Sequence, residues 1–154
     1  MDYQLIKLVH IVSSTVLFGT GVGSAFYMLR ANMSKDVPSI YFTARNVVLA
    51  DWIFTTPTVI IQPLTGIAMV MMSGYSLSDS WLVTSIVLFV IAGLAWLPVV
   101  WLQIKMRDLA GEAVGSNSEL PSLYWKYERI WLWLGMIAFP AIMCVFYLMV
   151  FKSV

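Results

Sequence analysis

The sequence predicts an all-α fold, a four-transmembrane-helix bundle with both termini on the outer, periplasmic side. Three observations lead there. Of 154 residues, 60% are hydrophobic and 11% charged, against roughly 45–50% and about 25% in a soluble domain, and mean hydropathy is +0.85. The charges gather in short clusters, and the apolar runs between them reach about 20 residues, enough to cross a hydrocarbon layer about 30 Å thick as helices. The basic residues also alternate in side, as set out below.

The predicted spans cover residues 5–29, 47–72, 81–103 and 130–151, within one domain, 1–154. The first stops at Arg30. The second is bounded by Arg45 and by the turn-like SGYSLSDS, the third is closed by KMRD, and the fourth ends at Lys152. Helices are expected rather than barrel strands because each run far exceeds about 9–11 residues and lacks alternation. Met1 is followed by acidic Asp2, and Lys7 alone precedes the first run, so this segment reads as a spanning helix and not a signal peptide.

Orientation follows from the lysines and arginines. Arg30, Lys35 and Arg45 lie in the first loop, and Lys105, Arg107, Lys126 and Arg129 in the third. Only Lys7 and Lys152 lie near the termini, and the second loop has Asp79 but no basic residue. Positive residues mark the cytoplasmic side, so loops one and three are expected inside, in a multi-pass protein of the bacterial inner membrane. Tyr3, Tyr75 and Trp81 at one boundary, and Tyr124, Trp125 and Tyr127 at the other, fit aromatic belts. The lipid bilayer is the expected surrounding. A net charge of +1 gives no field for nucleic acid, and Cys144, the single cysteine, forms no intrachain disulfide.

Pro57, Pro63, Pro98 and Pro140 fall within spans. Each leaves a carbonyl that a hydroxyl or a neighbouring helix must satisfy, a role open to Thr55, Thr56 and Thr58 beside Pro57. Gln62 either caps the carbonyl freed by Pro63 or lines a polar pocket. Helices in lipid associate through small residues, and Thr15, Gly19 and Gly23 stand four apart on the first span, with Gly66 and Gly93 on the second and third. Their partner is a helix of the same chain, or of a homo-oligomer or larger membrane complex.

Two polar groups lie at depth. Asp51 sits about one turn inside the second span, with Arg45, Arg107, Glu128 and Arg129 at a similar level. Ionisable groups there need partners, so an ion-pair network is one reading, and a proton entry point or an anion site is the other. His10, the only histidine, sits roughly 8–10 Å below the outer end of span one at 1.5 Å per residue. Its helix face continues through Ser14, Leu17, Gly21, Ser24 and Met28. The same depth on other spans holds Gly66, Met69, Met143, Cys144 and Tyr147. Imidazole and thioether suit haem iron, and sulfur suits monovalent copper. The alternative is that His10 hydrogen-bonds a serine or tyrosine and joins two helices.

The segments KLVHIVSSTVLFGTGVGSAF, TARNVVLADWIFTTPTVIIQPLTG, AWLPVVWLQIKMRDLA and LMVFK resemble an uncharacterised bacterial integral membrane family, domain of unknown function 2269. The resemblance covers nearly the whole chain, with ADW-x-FTTP and QPLTG its most specific parts. More distantly, the K-x-x-H of Lys7 and His10, the proline-then-glycine second span and the closing lysine are similar to small membrane protoporphyrinogen oxidases and copper-resistance membrane proteins. The oxidase resemblance implies haem b with His10 as an axial ligand. The chain departs from those oxidases in its third span, WLVTSIVLF, which lacks their lysine, and in having none of their other histidines. The expected site comprises His10, Ser14, Gly21, Met69, Met143, Cys144 and Tyr147, with His10 as the metal ligand. A redox or electron-transfer role comes first, with a non-catalytic scaffold or accessory subunit, or copper or small-solute handling, as alternatives. No catalytic set is assigned.

Overall fold

The structure is a computed structural model that describes residues 2–152. Helix α1 runs Tyr3–Ser34 and α2 runs Val37–Ala50. A π-helical turn, Asp51–Thr55, leads without a break into α3, Thr56–Ser73. Helix α4 spans Ser80–Gly115 and α5 spans Ser122–Phe151. Among the described residues the fold is all-helical, and four helical stretches are long and apolar enough to cross a membrane: Tyr3–Ser34, Val37–Ser73, Ser80–Gly115 and Ser122–Phe151.

Each expected span lies inside one of these stretches, but the helices run further than the apolar segments do. The residues expected to form the first loop are mostly helix. Lys35 adopts a left-handed conformation (φ 56°) and ends α1, and Asp36 caps α2 by accepting the Ser39 N–H at 3.0 Å. Pro38 follows in the first turn, where its missing N–H costs nothing. Hydrogen bonds from the Ser39 side chain and backbone hold the Asp36 carboxyl below the usual carboxylate range. At the other end Gly74 (φ 73°) takes the left-handed cap of α3.

The bundle has two distinct ends. At the basic end, carrying the α1–α2 and α4–α5 turns, Met28, Ile40, Ala44, Val47, Leu102, Met106, Ala110, Tyr124 and Trp131 form the main apolar core. At the terminal end, Val70, Trp81 and Leu82 make a smaller cluster against Leu148 and Met149. Between them Phe18 of α1 stacks on Phe139 of α5 at 5.2 Å and meets Phe146 edge-on at 5.3 Å. Leucine, isoleucine, valine and phenylalanine dominate the outer surface, as lipid contact requires.

The small-residue stripe takes no part in this packing. A Cβ added at Gly19, Gly23 or Gly93 would meet nothing within 4 Å, whereas one at Gly66 would touch the His10 ring. Close helix contact comes at the basic end instead, where Gly111 admits the Tyr41 ring.

A buried amide fixes α1 to α5 there. Asn32 donates to Glu128 Oε1 at 2.9 Å, and its carbonyl oxygen accepts the Tyr124 hydroxyl at 2.7 Å. Tyr124 is fully buried, so losing its acceptor strands a hydroxyl. Asn32→Ala should lower stability by about 1–3 kcal/mol, read by SDS-induced unfolding in mixed micelles. The exposed neighbour substitution Met33→Ala should stay within about 0.5 kcal/mol of wild type.

Candidate functional site

The second helical stretch is amphipathic in the sense opposite to that of a soluble helix. Asp51, Thr55, Thr58, Gln62 and Thr65 recur at spacings of four and three, so they share one face. Asp51, Thr55, Thr58 and Gln62 are each no more than 9% exposed, while Trp52, Ile53, Phe54, Ile60 and Leu64 are all exposed. The polar face points into the bundle and the apolar face outward.

Pro57 explains how this helix begins. It cannot donate to the carbonyl of Ile53, and its ring crowds the preceding turn; the chain widens into the π turn Asp51–Thr55. The flanking threonines then bond backward. Thr56 Oγ1 donates to the Asp51 carbonyl at 2.9 Å, and Thr58 Oγ1 donates to the carbonyls of Phe54 (2.7 Å) and Thr55 (2.9 Å). Thr55 instead donates to the Asp51 carboxyl at 2.7 Å.

Gln62 bonds across to α1. Its Nε2 donates to the His10 carbonyl at 2.8 Å and, by a very short contact, to Ser13 Oγ, both on α1. Ser13 Oγ in turn donates to the His10 carbonyl at 3.1 Å. One turn further along α3, Thr65 Oγ1 lies 2.8 Å from His10 Nδ1 and 2.7 Å from the Ile61 carbonyl. A carbonyl only accepts, so the Thr65 proton lies on Ile61 O. The hydroxyl oxygen is then the acceptor and His10 Nδ1–H the donor. This tautomer leaves Nε2 with a lone pair. The ring is half-buried, with Cε1 3.4 Å from where a Cβ on Gly66 would lie.

Of the expected site, His10 lies against Gly66 of α3, a residue outside that set, and Met69 is half-buried on α3. Ser14 bonds its own helix through the Ile11 carbonyl at 2.8 Å, and Gly21 lies in open space. Met143, Cys144 and Tyr147 are exposed on α5. Thr65, which bonds the imidazole, and Ser13, which accepts from Gln62 beside it, were missed from sequence. Their signal was the i+3 spacing from His10 to Ser13 and from Gln62 to Thr65, which sets two hydroxyls beside two deeper polar groups.

The five residues of the expected network at the basic end do not pair with one another. Arg45 lies over the Tyr41 ring, 5.6 Å from its centroid. Arg107 bonds its neighbour Asp108 at 2.7 Å, Arg129 donates to the Trp125 carbonyl at 3.4 Å, Glu128 accepts from Asn32, and Asp51 from Thr55. Arg45, Arg107 and Arg129 are each engaged by another partner. The anion site expected of Arg45, Arg107 and Arg129 is therefore not assembled. At the terminal end Lys152 donates to the Tyr75 hydroxyl at 2.9 Å and lies 4.4 Å from that ring's centroid, with Trp81 nearby.

These features define a multi-pass helical membrane protein with an inward polar face on its second span. A family model for predicted integral membrane proteins, domain of unknown function 2269, matches residues 4–153, and the chain belongs to that family. No curated protein and no solved structure matches it.

The lock between α1 and α3 has a measurable strength. Interhelical hydrogen bonds in membranes average about 0.6 kcal/mol and reach about 1.7 kcal/mol. Gln62→Leu, which removes both contacts to α1, should cost an amount in that range in SDS unfolding. Ser14→Ala, which breaks only a bond within its own helix, should leave the unfolding midpoint unchanged.

Proposed function

We propose that this protein presents His10 Nε2 as an axial ligand to haem b in a redox or electron-transfer setting. The observation that carries the reading is the Thr65 hydroxyl. With its own proton on the Ile61 carbonyl it accepts from Nδ1–H, which leaves Nε2 as the ring nitrogen with a free lone pair. A ligating histidine usually donates its other ring N–H to a fixed acceptor, which sets tautomer and orientation.

The donor set fits a macrocycle better than a bare ion. Among the described residues, no three His, Cys, Asp or Glu side chains converge on one point, so a metal that draws several such ligands from the protein finds no set here. Haem brings four nitrogens of its own and asks the protein for one or two axial ligands; when bound, it supplies one-electron chemistry. His10 would hold it, Thr65 would fix the ring, and Gly66 leaves the ring edge uncrowded. Copper handling rests on Met69 and the exposed α5 sulfurs, which no contact ties to His10. On the positive-inside rule we read this site as lying near the outer, periplasmic face of a bacterial inner membrane.

Absorption spectra of the detergent-solubilised protein, oxidised and reduced, after expression with haem supplied, test this directly. A Soret band is expected, absent in His10→Ala. In Thr65→Val haem affinity should fall about 10- to 100-fold, the usual effect of losing an outer-shell partner. No band in wild type, or a band surviving in His10→Ala, contradicts the assignment.

A further inference from the structure

Charged residues at the basic end, which the haem reading leaves unused, surround a hollow. Its volume is about 630 Å³, within the roughly 300–1,000 Å³ of small-molecule sites. It lies where the α1–α2 turn meets the α4–α5 connection. Lys35 ends α1 in its left-handed conformation, Glu119 lies in the α4–α5 connection, and Glu128 and Arg129 belong to the first turns of α5. All four line the hollow, with Leu120 and Trp125 as its apolar wall.

Two cations and two anions thus border one space, yet they are not joined to one another. Among the described residues, the ion pair is Arg107–Asp108 on α4. Arg129 engages the Trp125 carbonyl through Nε at 3.4 Å, and its terminal nitrogens are donors for other acceptors. Glu128 takes the Asn32 amide proton on Oε1, which fixes the carboxylate, and an ionised carboxylate can accept again on its second oxygen. An anion alone would meet Glu119 and Glu128, and a cation alone would meet Lys35 and Arg129. The set is complementary to a phosphate and a primary ammonium carried on one molecule, each bound by charge-assisted hydrogen bonds.

Helix α5 supplies a second observation. Its apolar run opens at Ile130, directly after Arg129, so the hollow lies at the level where headgroups begin. From Arg129 the same helix face continues through Trp133 and Ile137 at four-residue spacing. Trp133 is 71% exposed and Ile137 is 52% exposed. An acyl chain laid along that face leads to the guanidinium, whereas a soluble zwitterion has no use for it.

We propose that Lys35, Glu119, Glu128 and Arg129 form a binding site for a phospholipid with a primary-amine headgroup, of the phosphatidylethanolamine class. The site is independent of any group held by His10. Lys35 and Arg129 take the phosphate, Glu119 and Glu128 take the ammonium, and Trp133 and Ile137 bear an acyl chain. Occupancy adds a link between α1 and α5 beside the Asn32 contacts that already join them.

Native mass spectrometry of the delipidated full chain tests the site. The probes are phosphatidylethanolamine, phosphatidylcholine and phosphatidylglycerol with identical acyl chains. Wild type should retain phosphatidylethanolamine roughly tenfold more tightly than the other two, about the effect of one charge-assisted hydrogen bond. Choline offers the carboxylates no N–H, and glycerol offers them no charge. Arg129→Gln should weaken all three lipids. Glu119→Gln combined with Glu128→Gln should abolish the preference for the amine, and the new amide at 128 keeps an acceptor for Asn32. Glu119→Gln alone, in the connection, should reduce that preference and serves if the double variant does not fold. Lys126→Gln, at an exposed cation outside the hollow, should leave binding unchanged. Equal retention of the three lipids by wild type, or unaltered selectivity in the glutamate variants, overturns the proposal. Displacement of the lipid by an equal concentration of soluble phosphoethanolamine also overturns it, because the occupant would then be a soluble zwitterion.

Discussion

In a bilayer, a helix carrying Asp51, Thr55, Thr58, Gln62 and Thr65 on one face has a single acceptable rotation. Hydrocarbon offers these groups nothing, and each unsatisfied polar atom costs several kcal/mol. The face therefore turns inward, and the helices beside it must supply partners. Helix α1 does so with the His10 carbonyl, the Ser13 hydroxyl and the His10 ring, and α4 does so with Gln103. The pairing of α1 with α3 is thus a consequence of hydrogen-bond satisfaction. It needs no glycine stripe, and the open surroundings of Gly19 and Gly23 agree.

The same constraint gives the polar face two chemically different ends. Near the terminal end, every hydroxyl and amide proton in the cluster has an assigned acceptor, and the surplus is a lone pair on imidazole. Near the π turn one carboxyl oxygen of Asp51, Oδ2, is buried without a hydrogen-bond partner. A lone pair on nitrogen is a ligand for a transition metal. Asp51 and Thr65 lie about 21 Å apart along the helix at 1.5 Å per residue.

Much of this architecture was legible in the sequence because hydropathy reports directly on what the bilayer demands. The four spans, the sorting of basic residues toward one end, and the depth of His10 opposite Gly66 all follow from apolar run length and rise per residue. What hydropathy does not encode is helix that continues into water. Val37–Ala50 and the segment of α4 beyond Gln103 are helical, yet their charges read as loop. Depth without azimuth was the other limit. Met143, Cys144 and Tyr147 lie at a level comparable to His10 but face outward on α5, because equal depth leaves the rotation of each helix free. Serine and threonine were undervalued for a related reason: Ser13 and Thr65 look like ordinary helix hydroxyls until the partner helix is in place. The basic-end network failed because arginine accepts whatever lies nearest, an aromatic ring for Arg45 and a sequence neighbour for Arg107.

Because His10 is the only histidine, its two ring nitrogens can be observed without assignment. The most direct test is ¹⁵N NMR of histidine-labelled protein in lipid, in its cofactor-free form at neutral pH. A proton on Nδ1, hydrogen-bonded to Thr65, with Nε2 bare is the expected result, and Thr65→Val should release that preference. A proton on Nε2 in wild type, with Nδ1 as acceptor, or a doubly protonated ring, would contradict the account, because the inward polar face would then leave no ligand at its terminal end.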